Sequence, residues 1–434
     1  METRRSFRKN RTRRSRHRNA YDPGRFATDP GSRWYACIGS EFLNGGSLEF
    51  PLQNLRVLDF SRVLAGPFAG RMLSDMGAEV VKLEPPEGDV TRGWGRMRAG
   101  LSGYYTQQNA GKRSVCVNLE SPGSTPLVRR LAGQADVLIE NFRPGVMARH
   151  GLSWQDLSPD NPRLIMLSIS GFGQQGPESH RAAYAAVLHA ESGLVARQAG
   201  EDQRSPSDPV LSIADMNAGL HGLVGILSAL YLRERGGRGQ HIDIAMLDTM
   251  LLTDDYANFT LDEIPLTRGG GQVWDAPGGP IMITGDFRIV WKLLAKHHGV
   301  VDPTPAGAPL EEKIRLRRKA VGDFFLSFPD RLGLISALDA VNLAWGDIRS
   351  NSAAFASPTA QARRTVAQVD DRAGGTRPVV ESPYRFSDAP SHVARGPAYR
   401  GEHNREVLVD WLGASPNEIE ALERDGILSA EPMP

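Results

Sequence analysis

Cysteine is nearly absent. The 434 residues hold two, Cys37 and Cys116, and neither lies in a Cys-x-x-Cys or Cys/His cluster. That excludes a disulfide framework or a zinc site of the usual spacing and fits a reducing compartment, expected to be the cytoplasm. The His-Glu-x-x-His, phosphate-loop and Gly-x-Ser-x-Gly patterns are missing, and the ten His are scattered without ligand spacing. Metal-dependent and serine hydrolysis therefore drop out, and no metal is expected. No run of 18 consecutive apolar residues occurs, so no membrane association is expected. Acidic charge is lacking at one end only: residues 1–20 hold eight Arg and one Lys against one Glu, +8, which leaves −7 for the rest of a chain whose net charge is +1.

The basic end imitates a twin-arginine export signal at residues 3–9, TRRSFRK, but the segment that follows is polar throughout. Residues 1–50 are expected to be a disordered basic extension whose arginines repel one another. It could bind RNA or an acidic surface, and nucleic acid is expected as a partner by no other route. A start codon placed too early would give the same appearance.

What is present reads as a globular enzyme. Hydrophobic content of 40%, charged content of 23% and the length suggest two domains. From Pro51, LRVLDFS, AGPFAGRMLSDMG and AEVVKLEPP read as strand, helix and strand, a βαβ unit. The alternation continues through KRSVCVNLE, a helix at 125–132, ADVLIENF, a helix after Pro144, and RLIMLSISGF. It predicts an α/β fold with a Rossmann-like, doubly wound parallel sheet, in residues 51–255 together with 382–434. Ligands bind such sheets outside the carboxyl ends of the strands, which directs attention to the loops at 61–67, 84–89, 140–145 and 170–177. The last contains Gly171, Gly173 and Gly176 as G-x-G-x-x-G, but no second strand and acidic residue follow at the right distance, so a dinucleotide site is not expected.

The stretch 211–251 delivers Asp215 to the mouth of a long helix ending at Gly236 and Gly237, followed by the strand HIDIAML. Gly219, Gly222 and Gly225 recur along that helix, and each interior glycine costs about 0.8 to 1 kcal/mol relative to Ala, so close approach of a backbone or a ligand is expected. By pattern alone Asp215 fits a plain N-cap. Residues 256–381 read as a smaller mixed α+β domain. It opens with a glycine-rich stretch at 268–280, either a mobile lid or a surface linker, and continues with helices at 287–298, 310–325 and 331–343 and a hairpin turning at Gly374 and Gly375. Ser415, Pro416, Glu418 and Gly426 mark both ends of a closing helix. A carboxylate at a helix mouth beside basic strand-end loops suits an anionic, phosphorylated ligand.

Several of these segments, from LRVLDFSRVLAGPFAGRMLSDMGAEVVKLEPPEGD through NAGKRSVCVNL, ADVLIENFRPGVMARHGL and IADMNAGLHGLVGILSALYLRERGGRGQHIDIAMLD to PYRFS and GEHNREVLVDWLG, resemble the class III coenzyme A transferases of the CaiB/BaiF type, a family that also contains α-methylacyl-CoA racemases. The resemblance implies that Asp215 is the catalytic carboxylate. It would carry CoA from an acyl-CoA donor to a carboxylic acid acceptor through an aspartyl anhydride and an aspartyl-CoA thioester, with CoA part of the substrate and no prosthetic group. It places CoA contacts at Val63, Leu64, Ala65, Val117, Asn118, Asn141, Phe142, Arg143, Pro144, Arg149, Tyr184 and Met246. An active-site loop is implied at Gly269, Gly270 and Gly271, and an interlocked homodimer is implied as well.

Departures from the family pattern narrow the reading. Formyl-CoA transferases carry glutamine where Leu64 stands and arginine where Pro85 stands, which puts formyl and oxalyl chemistry in doubt. Ala185 replaces an acid found in some transferases, and Glu191 is a conceivable substitute. The alternative activity, racemisation or epimerisation of an acyl-CoA, needs a histidine base where Tyr184 stands. A tyrosine pKa near 10 makes that a poor base at neutral pH, which favours transfer.

Overall fold

The computed structural model describes residues 48–266 and 271–431; most of the basic extension, with Cys37, and Gly269 and Gly270 lie outside the described residues. Alternating apolar segments form β1 (Arg56–Asp59), α1 (Ala65–Asp75), β2 (Glu79–Glu84), β3 (Arg113–Cys116), α2 (Ser124–Gln134), β4 (Val137–Glu140) and β5 (Ile165–Ser170). The chain continues through α3 (Ala185–Glu191), α4 (Ile213–Gly236), β6 (His241–Ala245) and α5 (Met246–Thr253). The strands pair in the order β3-β2-β1-β4-β5-β6, every pair parallel. That is the doubly wound order with its reversal between β1 and β4, and side chains alternate between two cores as the strand period requires. Leu58, Leu138 and Met166 face one core with Leu127 of α2, and Val57, Ile139, Leu167 and Ile169 face the other with Ala65, Ala218 and Leu223.

Two boundaries differ from the sequence expectation: Met246 and Leu247 open α5 and do not extend β6, and the helix expected over 331–343 ends at Ala340. Ser212 is the N-cap of α4 and Asp215 its third residue, so Asp215 is not the cap.

The glycines of α4 explain themselves by contact. A Cβ on Gly219 would stand 2.6 Å from the carbonyl oxygen of Ala65, the first residue of α1. One on Gly222 would meet Leu167 of β5 at 2.8 Å, and one on Gly225 would meet Ile242 of β6 at 3.1 Å. The helix is long and apolar enough by composition to cross a membrane, but it lies against α1, β5 and β6. Its far face stays uncovered: Leu220, Val224, Tyr231 and Leu232 are all exposed.

Beyond α5 a second layer has its own core around Trp291, Phe325 and Leu338. It joins a three-stranded antiparallel sheet, β7 (Gln272–Trp274), β8 (Ile281–Ile283) and β9 (Trp345–Asp347), to α6 (Phe287–His298), α7 (Leu310–Leu326) and α8 (Arg331–Ala340). The hairpin of β10 (Val366–Asp370) and β11 (Thr376–Val380) reaches back, with Arg377 donating to the Leu101 carbonyl at 2.8 Å. The closing helices α9 (Asn404–Leu412) and α10 (Pro416–Arg424) cover the core on the Leu58 face of the large sheet, α10 capped by Ser415.

Gly219→Val should destabilise the protein by about 1 to 3 kcal/mol in denaturant unfolding, because its neighbour is backbone that cannot rotate away. Gly200→Ala, in a helix where an added Cβ meets nothing within 4 Å, should be neutral or stabilising.

Candidate active site

The loop after β1 is built by side chains beneath it. Asp59 accepts the Ser61 N–H at 2.9 Å and the Ser61 hydroxyl. Lys82, fully buried in β2, donates to the Ser61 carbonyl at 2.6 Å and pairs with buried Asp89 at 3.2 Å, while Lys112 pairs with Asp59 at 2.8 Å. Burial opposes charge on each group, yet Lys82 and the Thr91 donors hold Asp89 below the usual carboxylate range, and Asp89 with Asp59 holds Lys82 above its own. Breaking such a buried pair by removing one partner costs about 3 to 5 kcal/mol. Asn141, at the end of β4, clamps the loop: its Oδ1 accepts the Arg62 N–H at 2.7 Å and its Nδ2 donates to the Arg62 carbonyl at 2.8 Å.

This framework holds Val63 at φ +69°, a left-handed conformation that disfavours a β-branched residue by about 1 to 3 kcal/mol. The Val63 N–H donates to Asp89 at 3.2 Å. The turn ends with Ala65 opening α1 and Pro67 in its first turn, where no backbone donor is needed.

Asp215 sits where three helices begin. The backbone N–H groups of Ala65, Asp215 and Ala185 lie near its carboxylate and favour its charge. Ala65 and Ala185 are the first residues of α1 and α3, and Asp215 lies in the first turn of α4. Burial pushes the Asp215 carboxyl up to about 6, against the opposing pull of the neighbouring N–H groups. The Ser212 side chain makes no capping bond. His189 fills that place from α3: its Nε2 accepts the Ala214 N–H at 3.2 Å, and its Nδ1 bonds Asp208 at 2.8 Å. Both ring nitrogens are thereby engaged. Tyr104 lies near enough to sense the Asp215 charge, which together with burial raises its phenol, and Trp94 meets its ring edge-on at 5.2 Å.

A cavity of about 720 Å³ runs over the carboxyl ends of the strands with Asp215 in its wall, and all four loops chosen from sequence contribute to it. It brings together Val63, Ala65, Asn118, Asn141, Phe142, Arg143, Pro144, Arg149, Tyr184, Met246 and Asp215. Two expected CoA contacts, and Gly271 of the expected loop, fall outside it. Val117 is fully buried in the core beneath β2 and β3, since strand alternation turns Val117 inward and Asn118 outward. The Leu64 side chain is buried beside the entrance to α1. Gly271 packs on β8, where an added Cβ would stand 2.7 Å from the Met282 sulfur. Glu191 is bound to Arg181 and does not line the cavity.

The cations divide into two groups. Arg181 is occupied by Glu178 and Glu191. Arg62, Arg143 and Arg149, all exposed at the cavity, pair with no carboxylate among the described residues, and Arg62 lies over the Phe142 ring at 5.3 Å. Sequence reasoning missed Arg62, His189 as a capping partner, Tyr104 and the charged bed. The signal for the last was Lys82 and Glu84 within an otherwise apolar strand.

Fold and cavity together describe a doubly wound α/β protein with arginines and a carboxylate at the mouths of three helices in the wall of one cavity. Residues 52–275 match the model of CoA-transferase family III, and the chain belongs to that family. It is 35% identical over 398 residues to a succinate–glutarate CoA-transferase of Agrobacterium fabrum, covering 86% of this chain and 97% of that one. It is 33% identical to a formyl-CoA:oxalate CoA-transferase of Streptomyces avermitilis over 87% and 99% of the two chains. A CaiB/BaiF family protein from Brucella suis has a crystal structure that superposes with a TM-score of 0.72 at 31% identity, covering 84% of this chain and all of that one. The protein is a family III CoA-transferase.

Proposed function

We propose that the protein moves CoA from an acyl-CoA to a carboxylic acid with Asp215 as nucleophile. The observation that carries this is the carboxylate in the cavity wall at the point where α1, α3 and α4 begin. An Asp215 oxygen attacks the thioester carbonyl carbon, the carbon–sulfur bond breaks, and CoA leaves as thiolate. The thiolate attacks the aspartyl carbonyl of the resulting anhydride, which releases the donor acid and leaves an aspartyl-CoA thioester. An acceptor carboxylate attacks that thioester, and the freed thiolate takes the acceptor acyl group and restores Asp215. When the aspartyl carbonyl is attacked, its oxygen gains charge, and the Ala65, Ala185 and Asp215 N–H groups are placed to receive it. A partly desolvated carboxylate also meets less competing water, which protects the anhydride.

In this reading Arg62, Arg143 and Arg149 meet the phosphates of CoA, and Phe142, Pro144 and Met246 line the path of its arm. Relatives named for succinate and glutarate share acids as acceptors, and a small carboxylic acid is the corresponding acceptor class here. Leu64 and Pro85 supply no polar group of the kind associated with formyl and oxalyl transfer. Racemisation is disfavoured because Tyr184 is 70% exposed and both nitrogens of His189 are engaged. We propose further that the protein works as a homodimer in the cytoplasm: the bare apolar face of α4 supports association, and buried Cys116, a free thiol, suits a reducing compartment.

Asp215→Ala should retain its fold and its affinity for CoA while transfer falls by a factor on the order of 10⁴ or more. Because the nucleophile must be ionised and its pKa is raised, kcat/KM of the wild type should fall tenfold per pH unit below about pH 6, not near 4. Undiminished turnover in Asp215→Ala would overturn the proposal. Light scattering should give twice the chain mass, with Val224→Glu shifting it toward one; a monomeric wild type would remove the dimer.

A further inference from the structure

Glu140 is an acid in surroundings that oppose one. It ends β4, is only 3% exposed, and pairs with no cation among the described residues. Glu140, Ser168 and Asp243 share one row of the large sheet, so the other charge in that row is a second carboxylate. Burial pushes the Glu140 carboxyl up to about 7, and Asp243 adds to the rise. A buried acid near another acid is a cost to the fold, and such costs persist where a site needs the group.

What the carboxyl does is hold a loop. Its Oε2 accepts the Phe142 N–H at 2.8 Å, two residues on, as the chain leaves the strand. The segment beyond is closed on itself: the Arg143 carbonyl accepts the Val146 N–H at 3.1 Å, and the carbonyl of Gly145, whose φ is +87°, accepts the Arg149 N–H at 3.1 Å. On the other side Asn141 holds both backbone groups of Arg62, whose guanidinium lies over the Phe142 ring. Arg62, Arg143 and Arg149 all stand in the cavity wall, and each is joined to the segment that Glu140 holds. Glu140 itself does not line the cavity. Its neighbours in the row are committed elsewhere: both Asp243 oxygens accept the Gln174 N–H, at 3.0 and 3.2 Å, and the Ser168 hydroxyl bonds His241 Nε2 at 2.9 Å.

We propose that Glu140 is a positioning residue: through the Phe142 N–H it fixes the 141–149 segment and thereby sets the arginines that meet the phosphates of CoA. The assignment rests on the CoA-transfer reading above and adds to it the group that holds the arginines in place.

Glu140→Met and Glu140→Gln separate the bond from the bulk. Methionine fills the space without an acceptor, whereas glutamine offers the Phe142 N–H an oxygen, as the protonated acid does. By calorimetry, Glu140→Met should bind CoA about 5- to 20-fold more weakly, the loss of one hydrogen bond. Its affinity should also depend less steeply on salt, because the arginines no longer meet the phosphates together. Glu140→Gln should keep the wild-type salt dependence and an affinity within about threefold of the wild type. Equal CoA affinities in Glu140→Met and wild type would overturn the assignment, and so would Glu140→Gln as weak as Glu140→Met. Weaker binding with an unchanged salt dependence marks a general loosening of the fold and overturns it as well. Glu140→Ala repeats the comparison if Glu140→Met does not fold, and failure of both to fold assigns Glu140 a structural role instead. Failure of the wild type to bind CoA at all would overturn the transfer reading itself, a separate result.

Discussion

The site depends on how closely α4 approaches α1. Asp215 and Gly219 are one helical turn apart and share a face of α4, and the missing Cβ of Gly219 lets the Ala65 backbone come in at a distance no side chain permits. That approach brings the Ala65 N–H to the Asp215 carboxylate, while α3 supplies the Ala185 N–H from another direction. A larger residue at Gly219 would push α1 away and remove a donor without touching the carboxylate. The stripe of glycines thus serves helix packing first, and through it the chemistry.

Arginines without acidic partners among the described residues stand in the cavity wall together with the Asp215 carboxylate. Burial and helix N-termini act on Asp215 in opposite directions: burial disfavours its charge, and the positive ends of α1, α3 and α4 favour it. Burial wins, with the group settling near 6, so it is ionised at neutral pH yet poorly solvated. The strained Val63 turn rests on the Lys82–Asp89 pair and on Asn141, whose amide bonds Arg62 through both Oδ1 and Nδ2. Asn141 therefore acts in the cavity wall by fixing the loop.

Much of this was legible in the sequence, and the limits have physical causes. Apolar alternation and strand-end logic located the sheet and the four loops, because the period of a strand and the position of ligands on parallel sheets are local rules. The glycine spacing in α4 announced a close approach but could not say to what, since its partner Ala65 lies more than 150 residues earlier. Asp215 resembled a cap until the structure showed Ser212 at that position and His189 capping from another helix. Val117 and Leu64 were drawn into the site by neighbours that do line it, and alternation of side chains within one loop separates them. Tyr104 and Arg62 carried no motif. Only the folded chain brings Tyr104 near Asp215.

The central claim is that Asp215 becomes covalently joined to CoA during turnover. Mass analysis of peptides after incubation with an acyl-CoA donor and no acceptor, followed by hydroxylamine, tests it directly. The account predicts a CoA-dependent hydroxamate on Asp215 alone; turnover-competent enzyme whose Asp215 peptide remains unmodified would contradict it.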